Sequence, residues 1–159
     1  PLAAAFLRGE PQAMGRPRAR AIFPKGGGRA FVQVYAAPED EEALVRAARI
    51  LRTVPGPFPV TDPVALRVRF VMPTRQGDLR KRSRVPAKWS PTRPDLDNLL
   101  KLLLDAATEA GWWKDDGLVV RIVAEKTIAA EGEEAGTHLV LEALAPLTGA
   151  PAQGTLLPS

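Results

Sequence analysis

This 159-residue sequence contains no cysteine and a single histidine, His138. Without thiols there is no disulfide framework, no thiolate zinc site and no cysteine nucleophile. His138 falls in a stretch that reads as a β-strand, far from the other polar motifs, so a structural role is the simpler reading for it. Long apolar runs are missing too, since nothing approaches the roughly eighteen residues of a membrane span. The opening Pro1-Leu2-Ala3-Ala4-Ala5-Phe6-Leu7 is too short for a signal sequence with its cleavage site. A soluble, cytoplasmic protein is the expectation. The run Gly26-Gly27-Gly28 lacks the Lys-Ser/Thr pair of a phosphate-binding loop.

What is present suits one globular domain. With 45% hydrophobic and 25% charged residues, the chain has enough apolar material for a core and enough charge for a solvated surface. The net charge of +4 hides a segregation. Residues 8–30 carry Arg8, Arg16, Arg18, Arg20, Lys25 and Arg29 against Glu10. Residues 73–93 carry Arg75, Arg80, Lys81, Arg82, Arg84, Lys88 and Arg93 against Asp78, so the remainder is acidic overall. Both basic segments hold Gly, Pro or Ser and read as loops. Basic loops beside an acidic cluster suit a phosphate backbone, with Arg16, Arg18, Arg20, Arg80, Lys81, Arg82, Arg84, Lys88 and Arg93 as the contacts. Ordinary solvated loops are the plain alternative.

Periodicity gives an α+β pattern: a mixed β-sheet packed with two main helices, in one domain over residues 1–145. Strands are expected at 2–8 and at Phe31-Val32-Gln33-Val34-Tyr35. Pro38 opens a helix over about 39–53, with Glu39, Asp40, Glu41 and Glu42 in its first turn and Leu44, Ala47, Ala48 and Leu51 on its apolar face. Residues 64–71 alternate as a strand with Leu66, Val68 and Phe70 on one face. A second helix is expected over about 97–110, burying Leu99, Leu100, Leu103, Leu104 and Ala107 and stopping at Gly111. Strands at about 117–127 and 137–144 follow. Residues 146–159 have little periodicity and are expected to form a mobile tail.

The chemistry concentrates in Arg93-Pro94-Asp95-Leu96-Asp97-Asn98-Leu99-Leu100-Lys101 and, after one helix, Gly111-Trp112-Trp113-Lys114-Asp115-Asp116. Four carboxylates, an amide and a lysine thus belong to one helix and its two ends. Such a cluster repels itself unless a cation offsets it, and hard carboxylate oxygens suit Mg²⁺. Asp97, Lys101 and Asp105 follow one helix face at i, i+4, i+8, which an exposed ion-pair ladder would also explain. Either Asp95 or Asp97 could be a helix cap. Asp115 and Asp116 reach the helix start only if their loop folds back along it, and spacing does not choose between them. An EF-hand is excluded, because Leu99 and Leu100 stand where that loop needs a ligand and a glycine. At least one of Trp112 and Trp113 belongs in the core. Trp89, inside the basic segment, is the better aromatic for contact with DNA bases.

These motifs resemble the RusA family of Holliday junction resolvases, or crossover junction endodeoxyribonucleases. The likeness rests on Arg93–Lys101, Asp105, Gly111–Val119 and Lys126, with Gly15-Arg16-Pro17-Arg18 near the start, and covers most of residues 2–145. It implies a RusA-like fold, with Asp95, Asp97 and Asp116 as metal-binding catalytic aspartates and Lys101 as an essential lysine. Asn98, Asp105 and Asp115 match motif positions of less defined role, Asp115 being a further candidate ligand. The family implies a homodimer that uses Mg²⁺ or Mn²⁺, cuts four-way DNA junctions by paired symmetric nicks, and is often carried by phages and prophages. The basic stretch 75–93 and the tail beyond 146 depart from the compact family pattern. A broader nuclease for flaps and other branched DNA is the alternative within enzymes, and an inert branched-DNA-binding protein the alternative outside them.

Overall fold

The computed structural model describes residues 1–79 and 85–147. The elements in chain order are strands β1 (Ala3–Arg8), β2 (Arg18–Ile22) and β3 (Phe31–Tyr35), then helix α1 (Pro38–Leu51) and strand β4 (Val64–Met72). A short helix α2 (Gln76–Leu79), strand β5 (Lys88–Trp89), helix α3 (Leu96–Glu109), and strands β6 (Val119–Ile128) and β7 (Gly136–Ala143) complete it. The basic residues Arg80, Lys81, Arg82 and Arg84 lie outside the described residues, as does most of the expected tail.

Five strands form one sheet in the order β1-β7-β4-β6-β5, and β2 pairs with β3 as a separate hairpin. Within the larger sheet β4 and β6 run parallel, while the other neighbours are antiparallel. Parallel neighbours need a long crossover, and α3 supplies it. Helix α1 packs on α3, and both cover the sheet face that carries Leu66, Val68 and Phe70. The opposite face holds ion pairs between Arg67 and Glu142 (3.5 Å) and between Arg69 and Glu133 (3.0 Å).

The central strand departs from simple alternation. Ala65 and Val71 are buried along with Leu66, Val68 and Phe70, because β4 has strands on both sides. In α3 the buried set is Leu99, Leu102, Leu103, Ala106 and Ala107, whereas Leu100 and Leu104 are only partly covered. In α1 Ala43 is buried and Leu44 is at the margin. A helix in a corner between a sheet and a second helix buries positions i, i+3, i+4, i+7 and i+8, and this set follows that pattern. The basic segments are not simply loops, since β2, α2 and β5 lie within them. The hairpin arises from alternating Arg and Ala paired with a distant strand, which leaves no local hydrophobic period to read.

Gly111, at φ +82°, ends α3 in the left-handed region that favours glycine. Both tryptophans after it are buried. The Trp112 indole N–H donates to the Leu51 carbonyl (3.0 Å) and its ring stacks on Phe58 at 4.6 Å, while Trp113 donates to Thr108 Oγ1 (2.7 Å). Replacing Trp112→Ala is expected to lower the free energy of unfolding by about 3–5 kcal/mol in a urea titration. A loss below about 1 kcal/mol would show that the turn does not anchor the helix.

Candidate functional site

The segment leading into α3 is fastened to the sheet. Lys126, on β6, donates from Nζ to the carbonyls of Thr92 and Pro94, both at 2.5 Å. Ser90 N–H donates to the Lys126 carbonyl at 3.1 Å, and Arg75 Nη2 to Thr92 Oγ1 at 2.8 Å. These contacts fix residues 90–94 beside the carboxyl end of the parallel pair β4–β6, where open sheets with helical crossovers often bind ligands. The sequence offers only a lysine in a strand as a signal for this anchor, and the motif resemblance alone singles it out.

Asp95 occupies the N-cap position of α3, yet its carboxylate makes no capping hydrogen bond. Asp95 and Asp97 are both exposed, and Lys101 lies exposed one turn after Asp97. A second strand of chain crosses this helix end. The Met14 N–H donates to the Asn98 carbonyl (3.0 Å), and the Gly15 N–H donates to Asp40 Oδ2 on α1 (3.1 Å). A Cβ on Gly15 would stand 2.7 Å from that oxygen, so the position requires glycine. Arg16 follows directly, which brings the start of the N-terminal basic segment alongside the acidic helix end.

The other acids gather at the far end of α3. Asp115 caps a single 3₁₀ turn, accepting from the Gly117 N–H at 2.6 Å, so the turn uses that carboxylate. Asp105, Thr108, Lys114, Asp115 and Asp116 line an open hollow of about 340 Å³. Fourteen residues of helix at 1.5 Å each put about 20 Å between the two ends of α3. The structure therefore brings Asp95 and Asp97 together at one end, and Asp105, Asp115 and Asp116 at the other. Among the described residues, no three His, Asp or Glu side chains meet in a group that would hold a metal ion. Asp95 and Asp97 still fit Mg²⁺ by donor chemistry, because that ion retains waters and is often held by one or two carboxylates plus substrate phosphates.

The remaining basic candidates differ in their partners. Arg18 pairs with Glu39 at 3.4 Å. Arg20 donates to Gln33 Oε1 from Nε (3.0 Å) and Nη2 (2.8 Å), and lies over the Tyr35 ring. Lys88 donates to the buried Asp78 at 2.5 Å, which gives it a structural task. Arg93 is exposed, and so is Trp89 at 68%. His138 stacks on Phe6 with centroids 4.3 Å apart, in keeping with a structural role. A larger apolar groove of about 1020 Å³, lined by Pro59, Val60, Val64, Val120 and Leu144, contains none of the motif acids.

Partial burial raises the Asp105 carboxyl above the usual carboxylate range; Lys101 opposes the rise and Asp116 adds to it. The folded state thus binds this proton more tightly than the unfolded chain does. Its stabilising contribution is complete below the unfolded value and is lost as pH rises through the folded one. Asp105→Asn is accordingly expected to raise Tm at neutral pH and to leave it nearly unchanged at about pH 3, below both values. A lower Tm at neutral pH would mean that the Asp105–Lys101 attraction outweighs the burial.

Comparison with known proteins gives a consistent result. A family model described as "Endodeoxyribonuclease RusA" matches residues 8–138. The crossover junction endodeoxyribonuclease RusA of Escherichia coli O139:H28 (strain E24377A / ETEC) is 32% identical over 88 residues, and that of Escherichia coli strain K12 is 31% identical over 88 residues. Each match covers 55% of this chain and 60% of the relative, so the chain spans less than two-thirds of those proteins.

Proposed function

The chain belongs to the RusA endodeoxyribonuclease family, and from that premise we propose that it is a Mg²⁺-dependent, structure-selective DNA endonuclease that resolves four-way junctions by paired symmetric nicks. The observation that carries this reading is the pair of exposed carboxylates Asp95 and Asp97 on a helix end clamped by Lys126. Neither carboxylate is consumed by a cap, and Arg16 and Arg93 stand close by in the chain and fold. Two uncommitted acids beside arginines suit a phosphodiester approached through a metal ion.

In this reading Asp95 and Asp97 hold the ion, with Asp116 as third ligand and Asp115 kept in its turn. Bound Mg²⁺, or Mn²⁺ in its place, would supply Lewis-acid activation of a water and stabilisation of the leaving 3′ oxygen. Lys101, one helical turn from Asp97, offsets charge building on the phosphate oxygens, and its ammonium cannot itself be a ligand. Arg16, Arg20 and Arg93 take flanking phosphates, while Arg18 does so only after leaving Glu39. Trp89 offers a face for stacking on an unpaired base. A homodimer would present two such sites to opposed strands of the junction, as paired nicks require.

Asp97→Asn is expected to reduce junction cleavage by roughly two orders of magnitude or more while binding, read by gel shift, is kept or tightened, because a negative ligand is lost and the basic surface is not. Cleavage at the wild-type rate would remove Asp97 from the chemistry. Lys101→Ala is expected to lower turnover more than affinity; equal loss of both would make it a DNA anchor.

A further inference from the structure

Outside the acidic motif, the outer edge of β6 is bare over most of its length. Strand β5 pairs with it only at Trp89↔Thr127 and Lys88↔Ile128, and Ser90 adds one bond to Lys126. From Val119 to Glu125 no strand lies alongside among the described residues. That stretch reads Val-Val-Arg-Ile-Val-Ala-Glu, with Val120, Arg121, Ile122, Val123 and Glu125 all exposed. Edge strands are normally blunted by proline, lysine or a covering element. Here the edge is apolar and β-branched, and its two charges are of opposite sign.

We propose that a second copy of this chain adds its β6 antiparallel to this edge, about a two-fold axis through Val123, so that the acids at the two ends of α3 meet across the seam. The pairing follows from hydrogen-bond parity. Ser90 N–H reaches the Lys126 carbonyl, so the even-numbered residues of β6 direct their backbone groups outward. Ile122 then forms a hydrogen-bonded pair with the partner subunit's Ala124. Val123 faces its own copy, and Arg121 faces the partner subunit's Glu125, as non-hydrogen-bonded pairs whose side chains are closest. A shift of two residues one way puts Arg121 opposite Val123. The other way puts it opposite Thr127, which Trp89 already occupies. One register alone joins opposite charges on both sides of the axis and ends where β5 begins.

Topology supplies the consequence. Strand β6 returns antiparallel to α3, so Asp95 and Asp97 lie by its carboxyl end and Asp115 and Asp116 immediately precede its amino end. Reversing a second β6 against the first carries the partner subunit's Asp116 toward the residue 90–95 segment. The third acid that one chain does not bring to Asp95 and Asp97 is thereby supplied in trans. This second half rests on the endonuclease reading, whereas the strand pairing does not.

Because the chain has no cysteine, single-cysteine variants of the full-length protein report the seam directly. Val123→Cys is expected to form a disulfide-linked dimer under mild oxidation, and Val45→Cys, exposed on α1, is not. Arg121→Glu should weaken self-association, read by analytical ultracentrifugation, by roughly tenfold or more. The double change Arg121→Glu with Glu125→Arg should restore it, which separates a lost ion pair from a lost fold. Equal cross-linking of both cysteine variants, or no rescue by the double change, would overturn the pairing. An equimolar mixture of Asp97→Asn and Asp116→Asn chains should recover cleavage, since half-and-half dimers regain one intact site. No recovery despite cross-linking would place the acids in cis and overturn the trans site. A wild-type protein that cross-links at Val123 yet cuts no DNA would instead overturn the endonuclease reading and leave the pairing standing.

Discussion

Parallel pairing of β4 with β6 is the constraint on which the rest of the structure depends. Two parallel neighbours cannot be joined by a tight turn, so the chain between them must travel the length of the strands and return. Helix α3 makes that return journey. Its amino end therefore lies by the carboxyl ends of the strands, and its carboxyl end by the amino end of β6. The separation of the two acid groups is a direct result. Exposed carboxylates at both ends of a leucine-rich helix are affordable because the same helix buries Leu99, Leu102 and Leu103 along its length.

Two devices hold this helix in place, and each lies next to an acid group. At the amino end Lys126 grips the carbonyls of Thr92 and Pro94, so a cation from the sheet orders the backbone just before Asp95. At the carboxyl end the buried Trp112 and Trp113 fix the turn that delivers Asp115 and Asp116. Arg52 adds a tie between the ends of α1 and α3, donating to the Glu109 carbonyl (3.0 Å) and carboxylate (2.9 Å). A site that must keep its ligands in register during phosphodiester chemistry gains from such support.

Much of this was legible in the sequence, and the exceptions share a cause. The two long helices and strands β1, β3, β4, β6 and β7 announce themselves through local apolar periodicity. The Asp97–Lys101–Asp105 ladder follows from helical spacing alone. Strand β2 was not legible, because Arg18-Ala19-Arg20-Ala21 has no hydrophobic face and becomes a strand only by pairing with β3. The exact buried arc of α3 was hidden by leucines on several sides, and its neighbours decide which ones are covered. For the site, the residue types and the motif were readable. Their distribution between two ends of a helix was not, since it depends on the relative direction of β4 and β6, which no local pattern encodes.

The central claim is that these acids cut branched DNA with the help of a metal ion. Its most direct test is cleavage of a labelled four-way junction, beside linear duplex and flap DNA, with Mg²⁺, with Mn²⁺ and with chelator. The account predicts paired symmetric nicks in the junction, present with either metal and abolished by chelator. Cutting that persists in chelator, or that falls equally on linear duplex, would contradict it.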